Sequence, residues 1–580
     1  MDNRTLPKWF RFLILSGIIL LSVLSIIKTL FVSLDIDESY AIAQSYRLTI
    51  GDRLLLTMWE PHQFSAYLSA LFLKLYTLLT GSTEYAVVFL RISGTIIHIL
   101  LGAWLACSFR SRLSATSSGL VFFLHLNFLP KWVQTPEFEL MHYWLFLIIL
   151  LCFLHYYRKG KPVYLVIAGF CMMLQLFNYP SMIILYPFYM LGIYKMKGNF
   201  KKEIGLVTLS AVIPGLAFIA YLFSYMNLQE FFRGINYLVS DPSHSTVPFG
   251  EKFLAFLIEF GGDFLLIAVL MGLSIAIMYL CNRRNMSPAD PVAKKEQWGK
   301  IGLKAGLLVI VILCLYQMWG CLLNDENQFF GQVRYLFVAL LCLFICLRKP
   351  SYKSSEGVQS KLLWFGIVPC FVSLIATLLL TNMTLNVAYS KLFPCVLMLL
   401  LLVEEDNLRQ YVYLPLLFLL GSLLVCKLIL IRVNGCLPVT INADMDKITQ
   451  GPAKGIWVTR DLAVSLNDGY SLLHENLTSE DNLFYFGSEN LLYLCTNAQI
   501  SVASVQGTSV FNQDFLDYLE LFSYKFPTAV LIDKRYEVIE AYHYSPYNYI
   551  VADWIEQLSW KEKIETDSFI LYLGVEAPAL

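Results

Sequence analysis

Residues 33–48 read SLDIDESYAIAQSYRL and follow directly on an apolar run from Phe12 to Phe31, long enough to cross a bilayer. Three carboxylates, Asp35, Asp37 and Glu38, stand where the chain leaves that run. Leaving a membrane requires no such cluster. The run is too long for a signal-peptide core and has no small-x-small cleavage pattern. It is therefore expected to remain as a first membrane helix behind the short basic start MDNRTLPKWFR.

Working outward, the 580 residues are 57% hydrophobic and only 15% charged, with a mean hydropathy of +0.60. Soluble domains carry about 25% charged residues, so a polytopic α-helical membrane protein is expected. The formal net charge of zero carries no information on partners, because the charges are segregated by region. The 13 cysteines lie mostly inside apolar runs without a CxxC pair, as small membrane hydrophobes do. There is no P-loop or Rossmann glycine pattern, and a nucleic acid partner is not expected.

Apolar runs fall at about 9–31, 64–80, 85–107, 113–129, 139–157, 162–178, 180–196, 203–225, 253–281, 301–323, 333–347, 362–381, 386–403 and 411–431. If all of them cross, the basic loops SFRSR (108–112), YRKGK (157–161) and KMKGNFKK (195–202) fall opposite the basic amino terminus. Laying the short run 64–80, which carries Lys74, along the outer face restores the positive-inside pattern. About thirteen spans remain, with the amino terminus cytoplasmic. Residues 1–431 then form a membrane domain and 432–580 an extracytoplasmic domain. In the tail, GIWVT, NLFYF, AQISVA, TAVLID and FILYL read as strands between helices at 461–475 and 511–524, an α/β pattern.

With this topology the acids open the first outer loop, which continues through TMWEPHQF with Glu60 and His62. A second pair, Glu137 and Glu139 in KWVQTPEFELMHYW, opens the second outer loop. Solvated helix ends account for isolated acids of this kind. Two acid-x-acid pairs on one membrane face suit a general base or a metal instead. Asp35 is expected to be solvated, and Glu139 to turn toward the membrane edge. Arg91, Arg334 and Lys391 lie near the same face and suit a phosphate, with snorkelling to the interface as the alternative.

The residues that carry a family resemblance are the DE of LDIDESYAIAQ, the G of TIGDRL, EPHQFSAYLSALFLKLYTLLTG and AVVFLRISGTIIHILLGAWLA. Residues 35–108 resemble the start of the GT-C membrane glycosyltransferases, in particular the branch of the protein O-mannosyltransferases and lipid A aminoarabinose transferases. SRLSATSSGLVFFLHLNFLPKWVQTPEFELMHYW and GQVRYLF resemble later motifs of that family. The resemblance implies a GT-C-like fold of about thirteen spans with outer juxtamembrane helices, and inverting transfer of a sugar from a polyprenyl-phosphate donor to a glycan, lipid or protein acceptor. By position, Asp37 matches the base that deprotonates the acceptor. EPHQ stands where the family has PP, and EFE replaces an Asp-containing second motif, which leaves the acceptor open.

Taken together, Asp37 is the expected catalytic base, and Glu38, Glu60, His62, Glu137 and Glu139 are expected around the sugar and acceptor. Arg91, Arg334 and Lys391 are the candidates for the donor phosphate. The acid pairs would suit magnesium or manganese. The nearer branch generally works without a cation, so an obligatory metal is not favoured. A transporter or flippase of a lipid-linked glycan is the rival, although no internal repeat is present. The short loops point to a bacterial plasma membrane.

Overall fold

A computed structural model of the chain describes residues 8–110, 115–127, 134–196, 198–239, 248–282, 357–381, 409–433, 443–505, 513–534 and 548–576, with scattered positions between them. The membrane portion runs through α1 (Lys8–Phe31), α2 (Ile36–Thr49), α3 (Tyr67–Thr80), α4 (Ala86–Phe109), α5 (Ala115–Asn127), α6 (Phe138–Lys159) and α7 (Val163–Asn178). It continues with α8 (Leu185–Lys195), α9 (Phe200–Leu222), α10 (Leu228–Val239), α11 (Phe249–Asn282), α12 (Val368–Leu380) and α13 (Arg409–Ile429). Six helices among the described residues are long and apolar enough to cross a membrane. α3 is not one of them. Its 14 residues extend about 21 Å, short of a hydrocarbon core of roughly 30 Å.

α6 is the most enclosed helix of the bundle, buried continuously from Phe138 to Leu147. The largest apolar cluster is built around it from α4, α5, α7, α8 and α12. This burial explains its near-continuous apolar sequence, since it has no solvent- or lipid-facing stripe over that length. α4 meets the segment before α6 closely. A Cβ at Gly94 would sit 1.8 Å from the Gln134 carbonyl oxygen, so only glycine fits there.

Beyond α13, β1 (Leu430–Val433) and β2 (Leu437–Thr440) form a hairpin, and β3 (Met445–Lys447) pairs antiparallel with β4 (Trp457–Thr459). α14 (Arg460–Asn476) leads into a five-stranded sheet of β5 (Asn482–Phe486), β6 (Gln499–Ile500), β7 (Ala529–Asp533), β8 (Glu562–Glu565) and β9 (Phe569–Leu573), in the order β6-β5-β7-β9-β8. β5 is parallel to β6 and β7, whereas β7–β9 and β8–β9 are antiparallel. α15 (Gln513–Leu521) follows β6 in the chain and α16 (Asn548–Glu556) follows β7. Every residue of β7 is buried, which its continuous apolar run AVLI anticipates for a central strand. The protein is thus a polytopic helical bundle with a carboxyl-terminal α/β domain.

The sheet domain rests on the loop between α1 and α4. Tyr40, Ile42, Tyr46, Trp59 and Leu73 share one apolar cluster with the sheet. Backbone bonds join the two parts, from Trp59 N to Ala503 O at 2.9 Å and from Ser33 N to Trp457 O at 2.8 Å. α2 is consequently buried from Glu38 to Arg47.

Candidate active site

The first acidic cluster divides into three structural roles. Asp35 adopts an extended conformation, and its carboxylate accepts the Asp37 N–H at 2.9 Å, capping α2. It is 1% exposed, which corrects the expectation of a solvated acid. Glu38 is buried against Arg91, whose Nε and Nη2 donate to its two oxygens at 2.7 and 2.6 Å, and Thr135 donates to the same carboxylate. Arg91 also donates to the carbonyls of Thr29, Leu30 and Ser33, so all five of its N–H groups are engaged. The guanidinium therefore ties the end of α1 to the start of α2. Asp37 remains half-buried on the first turn of α2, within electrostatic reach of the Tyr179 hydroxyl.

The second cluster forms around Tyr179. Glu137 caps α6, accepting the Leu140 and Glu139 N–H groups at 2.7 and 2.9 Å. Glu139 is buried. It accepts the Tyr179 hydroxyl and the Lys391 ammonium, each at 2.5 Å, rather than turning to the membrane edge. The ammonium also lies 4.0 Å from the Tyr179 ring centroid, a cation–π distance. Burial, reinforced by Glu139, raises the Tyr179 hydroxyl well above its ordinary value. It is thus a proton donor to Glu139 and not a base.

His62 joins the two clusters. Its backbone is left-handed, with φ of +58°, a conformation uncommon outside glycine. The ring stacks on Phe138 at 4.3 Å and meets Tyr179 edge-on at 5.1 Å. Tyr40 and Gln44, both on α2, donate to the Pro61 carbonyl at 2.7 Å and fix the turn. The helix that carries Asp37 therefore also positions His62.

Glu60 lies elsewhere. It is buried against Arg47 at 2.6 Å and accepts the Val505 N–H of the sheet domain at 3.1 Å. Arg47 also holds Asp52 at 2.7 Å, and Lys525 reaches Asp52 at 2.5 Å. Glu60 thus belongs to the junction between loop and sheet domain, not to the pocket expected for it. Arg334 lies outside the described residues. The structure brings together Asp37, His62, Glu137, Glu139 and Lys391, with Glu38–Arg91 adjoining. Sequence reasoning missed Tyr179, Asn178 and His142. The NYP step at 178–180, polar between two apolar runs and ahead of a proline, was the available signal.

No group of three or more His, Cys, Asp or Glu among the described residues converges as a metal site would require. The Glu137 oxygens cap α6, and those of Glu139 hold Tyr179 and Lys391.

Bundle and site together define a polytopic membrane protein with a buried carboxylate, tyrosine and lysine cluster at the end that bears its α/β domain. No protein-family model matches the chain, and no curated protein does. Among solved structures, it is similar to ArnT from Cupriavidus metallidurans in the apo state, at 10% identity and a TM-score of 0.44, covering 97% of this chain and 98% of that one. The same protein bound to undecaprenyl phosphate gives 12% and 0.41 over the same shares. The Archaeoglobus fulgidus oligosaccharyltransferase in complex with Zn and sulfate gives 13% and 0.42, over 97% of this chain and 73% of that one.

Proposed function

We propose that the protein transfers a sugar from a polyprenyl-phosphate-linked donor to an extracytoplasmic acceptor, with inversion. The observation that supports this most directly is the placement of Asp37. It is a half-buried carboxylate on the first turn of a fixed helix, beside a Tyr179–Glu139–Lys391 cluster at the mouth of an apolar bundle. An acceptor hydroxyl attacks the anomeric carbon while Asp37 takes its proton. The bond from that carbon to the phosphate oxygen breaks, and the electron pair leaves on the polyprenyl phosphate. Glu38 and Arg91 hold the base in place. Lys391 is the donor-phosphate candidate among the described residues, and a phosphate there would share it with Glu139. His62 and Glu137 border the sugar and acceptor.

On this proposal the amino terminus is cytoplasmic, residues 432–580 face outward, and the membrane is a bacterial plasma membrane. The acceptor is a cell-envelope glycan, a lipid or a protein. The test is transfer of labelled sugar from a polyprenyl-phosphate donor by purified protein, with Asp37→Asn beside the wild type. Transfer that depends on Asp37 is the expected result. Movement of the labelled lipid across vesicles without transfer would overturn the proposal in favour of a flippase.

A further inference from the structure

Wholly buried side chains around the site carry polar atoms with no hydrogen-bonding partner among the described residues, Gln44 Oε1 on α2 among them, and two such side chains lie on α7 and α12. They are Asn178, at both Nδ2 and Oδ1, and Thr377, at Oγ1. Buried amides are otherwise almost always hydrogen-bonded, because an unmet donor or acceptor carries its full desolvation cost. Asn178 has two such atoms on one side chain.

The surroundings of Asn178 are those of the site. It closes α7, and its backbone carbonyl oxygen lies 3.4 Å from His62 Nδ1. The next residue is Tyr179, which donates to Glu139. One turn back, Gln175 Nε2 lies 3.5 Å from His142 Nδ1, and His142 Nε2 lies 3.2 Å from Ser373 Oγ. Thr377 follows Ser373 by four residues on α12 and so shares its face. Polar groups of α6, α7 and α12 therefore meet inside an otherwise apolar bundle, next to the acid cluster.

A carboxamide offers one donor side and one acceptor side a short distance apart. That pattern matches two adjacent hydroxyls of a sugar ring, each of which both gives and accepts a hydrogen bond. It does not match a phosphate, which only accepts and for which Lys391 is at hand. We propose that Asn178 binds a pair of adjacent hydroxyls on the sugar of the donor and sets which sugar is accepted, with Thr377 as an additional polar contact. This rests on the transferase reading of the same site. A site built to hydrogen-bond a hydroxyl discriminates strongly against an analogue that lacks it, because its own buried groups are then left unpaired.

The experiment uses the full chain in nanodiscs with polyprenyl-phosphate-linked mannose, glucose and their single-deoxy analogues. Asn178→Leu is expected to lower kcat/KM for the preferred intact donor roughly tenfold to hundredfold and to lose most of the wild type's preference over the deoxy donor, with acceptor KM unchanged. Without lipid, its Tm should equal or exceed that of the wild type, since leucine removes an amide that nothing satisfies. A Tm several degrees lower would assign Asn178 a structural role and overturn the inference, as would a variant that discriminates as the wild type does. A rise confined to acceptor KM would overturn the assignment to the donor. A wild type that is thermally stabilised by none of the sugar lipids overturns the inference. One that is stabilised but transfers nothing sinks the transferase reading alone, and Asn178 is then judged by loss of that stabilisation.

Discussion

Asp37→Asn preserves shape and hydrogen-bonding capacity at the start of α2 while removing the base. Because Asp35 and not Asp37 caps the helix, folding should be unaffected. Turnover is expected to fall by about 10²–10⁴, the usual contribution of a positioned proton acceptor. A folded variant with near-normal turnover in the labelled-sugar assay would remove Asp37 from the mechanism. Lys391→Met tests the phosphate. Charge-assisted hydrogen bonds contribute about 1.5–3 kcal/mol, so donor KM should rise roughly tenfold to hundredfold. The same substitution leaves Glu139 buried without its ammonium, and a lower Tm should accompany the kinetic change. A drop in Tm with donor KM unchanged would mean that the pair serves structure alone.

At the scale of elements, α2 is fixed from both ends. Arg91 anchors its first turn, and Arg47 its last. Arg91→Lys keeps the charge but cannot reproduce the two-pronged contact with Glu38 or reach all three carbonyls. It should lower Tm and kcat together while leaving donor KM close to wild type, since the residue positions the base and does not touch the phosphate. A rise in donor KM with kcat preserved would restore Arg91 to the phosphate site. The buried conformation of α2 also explains what its sequence concealed. A helix enclosed between a bundle and a sheet has no solvent face to impose a polar stripe, so IDESYAIAQSYRLT does not sort cleanly by side.

At the scale of the whole molecule, the junction of loop and sheet domain is a buried network of two cations and two acids: Arg47, Lys525, Asp52 and Glu60. Burial by itself would raise the Asp52 carboxyl, but Arg47 and Lys525 more than offset this and hold it below its ordinary value. A depressed carboxyl stabilises the fold above its unfolded pKa of about 3.9 and loses that contribution as pH falls through the folded value. Asp52→Asn should therefore cost about 3–5 kcal/mol near neutral pH, where it leaves Lys525 without its carboxylate and Arg47 with Glu60 alone. The gap from wild type should narrow as pH drops below about 4. Thermal unfolding of both proteins across pH 3–8 checks this, and a gap independent of pH would show that Asp52 is not ionised in the fold.

The sequence by itself determined the class of architecture. Its apolar runs foretold α1, α4, α6, α7, α9 and α11 to within a few residues, because a bilayer imposes length and composition on every crossing. NLFYF, TAVLID and FILYL foretold β5, β7 and β9, because central strands must be apolar throughout. The polar edge strand EKIE, β8, gave no such signal. The sequence also gathered the acids of the first two loops at one face, from the charge bias of the loops opposite. What each acid does there was decided by tertiary structure alone. Asp35 and Glu137 became caps, Glu38 and Glu60 took arginine partners remote in the chain or across a turn, and Glu139 took Tyr179 and Lys391. A carboxylate's role depends on which donors lie within about 3 Å of it. Those donors came from residues 40 to 252 positions away for Glu139, a separation that no local pattern records. Asn178 makes the same point by contrast, since only the burial of its side chain in the folded bundle shows that its amide is left without a partner among the described residues.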